Sequence, residues 1–111
     1  MRKESLKIAR AFAEGLPATA ARTMTDGNAL YLHGHRIAQR EPDGRVWFTL
    51  AGWPTRTTRD RLNTLAHVLG IPVRIYQRGH HGLIDIGGVT FPMFDHDRYE
   101  VRGPRPVDSA A

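Results

Sequence analysis

The sequence predicts an α+β domain with one small antiparallel sheet, in the order β-β-β-α-β-β-β, one packed helix and a further helix before it. Three observations support this prediction. Short apolar runs are separated by glycine-containing turns, which favours antiparallel pairing because parallel strands need long crossover connections. The longer segment at residues 57–69 has the apolar spacing of a helix. The length of 111 residues is that of a single domain.

The composition excludes several classes of protein. Hydrophobic residues make up 41% of the chain and charged residues 24%, which is too apolar for a chain that is disordered throughout. The sequence contains no cysteine, and therefore no disulfide and no thiolate metal ligand. No apolar run is long enough to cross a membrane, and the basic N-terminus lacks the apolar segment of a signal peptide.

The first quarter of the chain is predicted to be a helix and a linker. Residues 3–15 have the apolar spacing of an amphipathic helix, which Gly15 ends. The segment that follows consists of small and polar residues and lacks a clear apolar periodicity. The predicted organisation is an N-terminal helix at 1–17, a linker at 18–27, an α+β domain at 28–94 and an extended tail at 95–111.

Three strands are predicted in the first half of the α+β domain, at residues 29–32, 36–40 and 45–51. A tight turn at His33-Gly34 and a second turn at residues 41–44 join them, since both contain residues that tolerate turn conformations. The third strand has the clearest alternation of apolar and other side chains. These runs therefore predict an antiparallel meander.

A helix over residues 57–69 is predicted to pack on this sheet. Thr57 is the expected N-cap, with Asp60 in a variant of the capping box, and Gly70 ends the helix. Its buried side is predicted at Leu62, Leu65, Ala66 and Leu69. Further strands are predicted at residues 72–77, 83–86 and 89–92.

The charge of the chain points to an anionic partner. Sixteen Lys and Arg residues against eleven Asp and Glu give a formal charge of +5, and fourteen of the sixteen are Arg. The planar guanidinium group matches phosphate and carboxylate oxygens, so nucleic acid and an acidic protein surface are both suitable partners. The alternative is that the arginines reflect coding bias and solubility.

Two groups of residues are candidates for a phosphate-binding surface. Arg36, Arg40 and Arg45 are predicted on the solvent face of the sheet with Trp47 among them, an arrangement that suits phosphates and stacked bases. The alternative is a solvated face whose long side chains protect a sheet edge. The second group is Arg56 and Arg59 at the start of the central helix.

The segment around the second group also has a purely structural interpretation. Trp53 is then expected to fill the junction between sheet and helix, the threonines satisfy free N–H groups at the helix start, and Asn63 ties a loop to the helix.

Two stretches resemble a known family. Residues 26–38 contain Leu32-His33-Gly34 and Ile37-Ala38, and residues 50–63 read LAGWPTRTTRDRLN. Together they resemble a module, over residues 25–90, in many small proteins of tailed bacteriophages. The resemblance implies an early or accessory role in the cytoplasm of a bacterial host, and it implies no particular activity.

No catalytic motif is present, and we predict no catalytic residue, metal ligand or cofactor. The histidines occur mainly as His33 with His35, His80 with His81, and His96 between two aspartates. A metal site needs three or four converging ligands. A metal-dependent nuclease built on His and Asp is therefore kept as a minor alternative.

We expect a small non-enzymatic phage protein that contacts nucleic acid through a basic surface. The alternative is an accessory protein that binds and modulates a host protein through its arginines. A sheet with one uncovered face is also compatible with a homodimer. The residues expected to bind nucleic acid are Arg36, Arg40, Arg45, Trp47, Arg56 and Arg59.

Overall fold

The computed structural model describes residues 2–103, and this part of the chain contains two helices and nine strands. The helices are α1 (Lys3–Glu14) and α2 (Arg56–Leu69). The strands are β1 (Ala18–Ala20), β2 (Thr23–Thr25), β3 (Ala29–Leu32), β4 (His35–Arg40), β5 (Val46–Phe48), β6 (Val73–Arg78), β7 (His81–Ile86), β8 (Val89–Pro92) and β9 (Tyr99–Arg102).

The strands form two antiparallel sheets, so the α+β class is confirmed while the prediction of a single sheet is wrong. One sheet has six strands in the order β1-β2-β3-β4-β5-β9, and the other has three in the order β6-β7-β8. Strand β9 occupies the edge next to β5. The strands that follow α2 therefore pair with one another instead of extending the first sheet.

The segment at residues 18–27, predicted as a linker, contains β1 and β2. The hydroxyl group of Thr25 is buried, donates to the Ala29 carbonyl at 2.6 Å and accepts from the Gly27 N–H at 3.0 Å. The small polar residues hid this strand pair, although Thr at alternate positions is well suited to a strand.

The extended tail predicted from residue 95 contains β9, and this part of the prediction is wrong. Val101 is buried, and the Tyr99 hydroxyl donates to the Pro92 carbonyl at 3.1 Å and accepts from the Phe94 N–H at 2.7 Å. Because these contacts fold the chain back onto the first sheet, β9 can pair with β5. Residues 104–111 lie outside the described residues.

Helix α2 begins at Arg56, and its N-cap is Thr55, two residues before the expected Thr57. The Thr55 backbone is extended, and its hydroxyl oxygen accepts from the Thr58 N–H at 3.2 Å. Gly70 ends the helix in the left-handed conformation, as predicted.

The core lies between the two helices and the inner faces of the sheets. The predicted alternation in β5 is confirmed, because Val46, Phe48 and Leu50 are all buried. The hairpin turn at His33-Gly34 is also confirmed, with positive φ at both residues. The largest fully buried apolar side chains are Phe12, Phe48, Ile8, Leu30, Ile37, Leu50, Leu62, Leu65 and Ile84.

A buried charged network docks α1 against α2 and β2. The Arg61 side chain is only 4% exposed and donates to the Thr23 hydroxyl at 2.9 Å, to the Ser5 hydroxyl, and to the Asp60 carboxylate at 3.2 Å. The Ser5 hydroxyl also donates to Asp60 at 2.5 Å. A buried guanidinium group needs these partners, because removing a charge from water is costly. Helix α1 is therefore an integral part of the fold.

A tight turn between β2 and β3 passes close to the end of α1. The Asp26 carboxylate accepts from the N–H groups of Asn28 and Ala29, both at 2.8 Å, and these bonds lower the pKa of Asp26. Gly27 has a φ of +98°, and a Cβ atom there would lie 2.4 Å from the Gly15 carbonyl oxygen. Only glycine therefore fits at residue 27.

We predict that Arg61→Met lowers the free energy of unfolding by about 2–4 kcal/mol, because it removes the cation that pairs with the Asp60 carboxylate and the donor to the buried Thr23 hydroxyl. Urea denaturation measures the effect. Arg56→Met, an exposed position on the same helix, is the control and should change stability by less than about 0.5 kcal/mol. Equal stability of the two variants would contradict the role of Arg61.

We also predict that Gly27→Ala destabilises the fold more than Gly70→Ala does. Both positions have positive φ, which costs alanine roughly 1 kcal/mol, but the space around Gly70 is open whereas at Gly27 the backbone of Gly15 must move. Thermal unfolding of both variants measures the difference. A Gly27→Ala variant as stable as Gly70→Ala would show that α1 does not pack as described.

Candidate functional site

The six residues predicted to bind nucleic acid lie in three different places. Arg36, Arg45 and Trp47 lie on the solvent face of the six-stranded sheet. The side chain of Arg40 projects from the opposite face of the same sheet, towards α1. The last two, Arg56 and Arg59, lie at the start of α2.

Trp47 is the centre of a cluster on the solvent face of the sheet. The guanidinium carbons of Arg36 and Arg98 lie 5.3 and 4.3 Å from the centre of its ring, within the range of cation–π attraction. Its indole N–H donates to the Glu41 carboxylate at 2.8 Å. The ring is half-buried, and its main interactions are already made within the protein.

Carboxylates balance the charge of this Trp47 cluster. Arg45 forms an ion pair with Asp43 at 2.8 Å and approaches Glu100 at 4.0 Å, while Glu41 lies beside the indole ring. The surface thus has three arginines (36, 45 and 98) and three carboxylates (41, 43 and 100). The excess positive charge of the chain does not concentrate on this face.

Arg40 does not lie on the solvent face, so the prediction of its placement is wrong. Its guanidinium group donates to the Gly27 carbonyl at 2.8 Å and to the Phe12 carbonyl at 2.9 Å, and it lies 4.4 Å from the centre of the Phe12 ring. These bonds tie the last turn of α1 to β4. A β-bulge between β3 and β4 shifts the register, which simple alternation along the strand does not anticipate.

The start of α2 presents two arginines in different surroundings. The side chain of Arg56 is exposed and forms no hydrogen bond or ion pair with any residue from 2 to 103. Arg59 donates through one nitrogen to the Pro54 carbonyl at 3.0 Å and to the Gln77 side chain at 3.2 Å. The guanidinium group of Arg59 is therefore fixed, while that of Arg56 is available to a ligand.

A cleft on one side of this helix start, the Trp53 cleft, has a volume of about 230 Å³. Trp53 is 50% exposed, and its ring centre lies 5.5 Å from that of His35, with the planes at 45°. The expectation that Trp53 fills the sheet–helix junction is wrong. The lining residues of the cleft are Leu32, His33, Ile37, Trp53, Thr55, Thr57 and Thr58.

A second cleft, the Arg59 cleft, lies between the start of α2 and the hairpin of β6 and β7, and has a volume of about 190 Å³. The polar residues that line it are Arg59, Gln77, His80 and Asp95. The sequence did not indicate that His80 and Asp95 lie beside Arg59, because they come from segments distant in the chain.

The described residues form neither a metal-binding cluster nor a membrane-spanning helix. Within residues 2–103, no three His, Asp or Glu side chains come together in the manner of a metal site. None of the helices in the described part of the chain is long and apolar enough to cross a membrane.

Comparison with known families identifies the chain. A family model described as Kyanoviridae Gp96 protein matches residues 1–100. The chain belongs to this family. The resemblance to small tailed-bacteriophage proteins is confirmed, and the match extends beyond residues 25–90 to include α1. No curated protein and no solved structure gives a significant match to this Gp96-family chain.

We predict that the two tryptophans differ in access to a dissolved quencher. In a Trp47→Phe variant the remaining Trp53 should be quenched efficiently by acrylamide, because half of its side chain is exposed. In a Trp53→Phe variant the remaining Trp47 should be quenched less, because arginines lie against its ring. The reverse order in a fluorescence titration would contradict the geometry of the site.

Proposed function

We propose that this Gp96-family phage protein binds single-stranded nucleic acid across the start of α2, in the cytoplasm of an infected bacterial host. The observation that carries the proposal is the exposed Trp53 ring, which lies against His35 beside an apolar cleft and is followed closely in the chain by the exposed Arg56. An aromatic platform next to an available cation is typical of surfaces that bind single strands.

The exposed Trp53 ring is suited to stacking against the bases of the strand. A half-exposed tryptophan offers a flat apolar surface on which any base can stack, and such contacts contribute about 1–3 kcal/mol per base. Trp53 is better suited to this role than Trp47, whose ring already interacts with two arginines. The Trp53 cleft has an apolar floor of Leu32 and Ile37 that can accept part of a planar ring.

The arginines at the start of α2 are suited to binding the phosphates of the strand. Arg56 has no partner within residues 2–103, and the single bonded nitrogen of Arg59 leaves its other donors for a phosphate. Arginine binds phosphate oxygens through its planar fork. The charge-balanced Trp47 cluster lacks this capacity, so the start of α2 is the better candidate.

The size of the two clefts favours a single strand over a duplex. Each of the two clefts beside α2 has a volume near 200 Å³, which suits a single ring and not a duplex. Bases in a duplex are stacked inside the helix, whereas those of a single strand can turn outward onto a protein. A single strand is therefore the favoured ligand.

The test is a fluorescence anisotropy titration of labelled oligo(dT) of about 20 nucleotides at low salt. We expect Trp53→Ala to weaken binding by about tenfold, since one stacked base is lost, and Arg56→Glu to weaken binding and reduce its salt dependence. Both positions are exposed, so both variants should fold. Arg10→Glu on α1 is the matched control for charge and should retain most of the affinity.

Two results would overturn the proposal. One is the absence of binding by the unaltered protein at about 100 μM, since even non-specific binders usually have dissociation constants of ~10⁻⁴–10⁻⁶ M. The other is an equal loss of affinity in Arg56→Glu and Arg10→Glu with no loss in Trp53→Ala, which would indicate a diffuse charge effect.

A further inference from the structure

A groove between α1 and β1 is a second surface that the proposed function does not use. It has a volume of about 650 Å³ and is open to solvent along its length. One wall is the exposed side of α1, and the other is the chain from Leu16 to Ala20. The groove lies within the region that matches the family model.

The floor of the groove is apolar. Leu16 is 52% exposed, and the half-buried side chains of Leu6 and Ala11 continue the apolar surface along α1. Ala18 and Ala20 contribute small side chains from β1. Burial of such a surface by a partner is favourable at about 25 cal/mol per Å² of apolar area.

Cations line the helical wall of the groove. Lys3, Lys7 and Arg10 are spaced at i, i+4 and i+7, and therefore project from one side of α1. The side chains of Lys3 and Arg10 form no hydrogen bond or ion pair with a described residue, and the Lys7 ammonium group donates to the Thr19 carbonyl at 3.2 Å. The lining also contains two acidic residues, Glu4 and Glu14, which lie towards the ends of α1. With three cations and two carboxylates, the lining of the groove has a net positive charge.

We propose that this groove binds an acidic amphipathic helix of another protein. Apolar side chains of the partner fill the floor, and its carboxylates meet Lys3, Lys7 and Arg10, so that charge and apolarity are both complementary. Binding through strand addition is disfavoured, because β1 has only three residues and its Thr19 carbonyl already accepts from Lys7. A helix that binds through its side chains needs no free strand edge.

Two other occupants fit less well. The floor has no aromatic ring on which a base could stack, so nucleic acid is not favoured. A helix that lies in a lipid surface inserts its apolar side, whereas the apolar side of α1, with Ile8 and Phe12, is buried in the core. The exposed apolar surface is instead concave.

The test uses two synthetic peptides of about 18 residues, long enough to form a helix, with Leu on one side and either Glu or Lys on the other. Anisotropy should show that the Glu–Leu peptide binds and that the Lys–Leu peptide does not. We expect the double variant Lys7→Glu and Arg10→Glu, and separately Leu16→Asp, to weaken binding by at least about tenfold. Arg56→Glu is the matched control and should bind the peptide normally.

The proposal fails if both peptides bind equally, if neither binds, or if the groove variants retain full affinity. Stronger binding to vesicles of phosphatidylglycerol than to the Glu–Leu peptide would assign the groove to a lipid surface and also overturn it. Circular dichroism of each variant checks that the fold is retained. Because Arg56→Glu affects only the nucleic-acid titration, failure of one proposal leaves the other testable.

Discussion

The buried guanidinium group of Arg61 is the constraint on which the rest of the structure depends. Arg61 lies on α2, where it pairs with the neighbouring Asp60, and its guanidinium group joins this helix to α1 through Ser5 and to β2 through Thr23. Both α1 and β2 must therefore be in place before all of its hydrogen bonds form. With α1 docked in this way, the groove against β1 has a fixed wall. The same network fixes the first turns of α2, beside which the two clefts lie.

The arginines of this chain serve three different physical purposes, and a high arginine content therefore does not by itself create a basic surface. Arg61 and Arg40 hold the interior together, and Arg102 does the same by donating to the Leu69 carbonyl at the end of α2. Arg36 lies against Trp47, in a cluster balanced by carboxylates. Arg56 remains available at the surface, which is why the proposed ligand site is placed there.

Local signals predicted the local structure well. Turn residues located the β3–β4 and β4–β5 hairpins, and the apolar spacing of α2 located its buried side, because both depend on near neighbours in the chain. The β1–β2 hairpin was not predicted, since its small polar residues lack apolar alternation. Asn63 ties the helix to another element through two side-chain hydrogen bonds, as predicted, but its partner Ile75 lies in strand β6 and not in a loop. The pairing of β5 with β9 depends instead on distant residues. No local pattern distinguishes a final strand from a tail.

The candidate site was predicted only in part, because some of its features depend on residues that are distant in the chain. Arg56 and Arg59 follow directly from the helix start, but the exposure of Trp53 depends on how the tip of the β3–β4 hairpin meets α2. Simple alternation along β4 would place the Arg40 side chain on the solvent face of the sheet. The β-bulge in the pairing of β3 with β4 shifts the register, so the side chain lies on the opposite face. Arg98 joins the Trp47 cluster through the return of the chain to β9.

Nuclear magnetic resonance of the ¹⁵N-labelled protein during titration with oligo(dT) tests the central claim most directly, because it locates the bound strand on the surface. The account predicts large shifts for the Trp53 indole N–H and the Arg56 amide, with little change at the Trp47 indole or along the exposed side of α1. Large shifts at the Trp47 indole, with Trp53 unaffected, would contradict it.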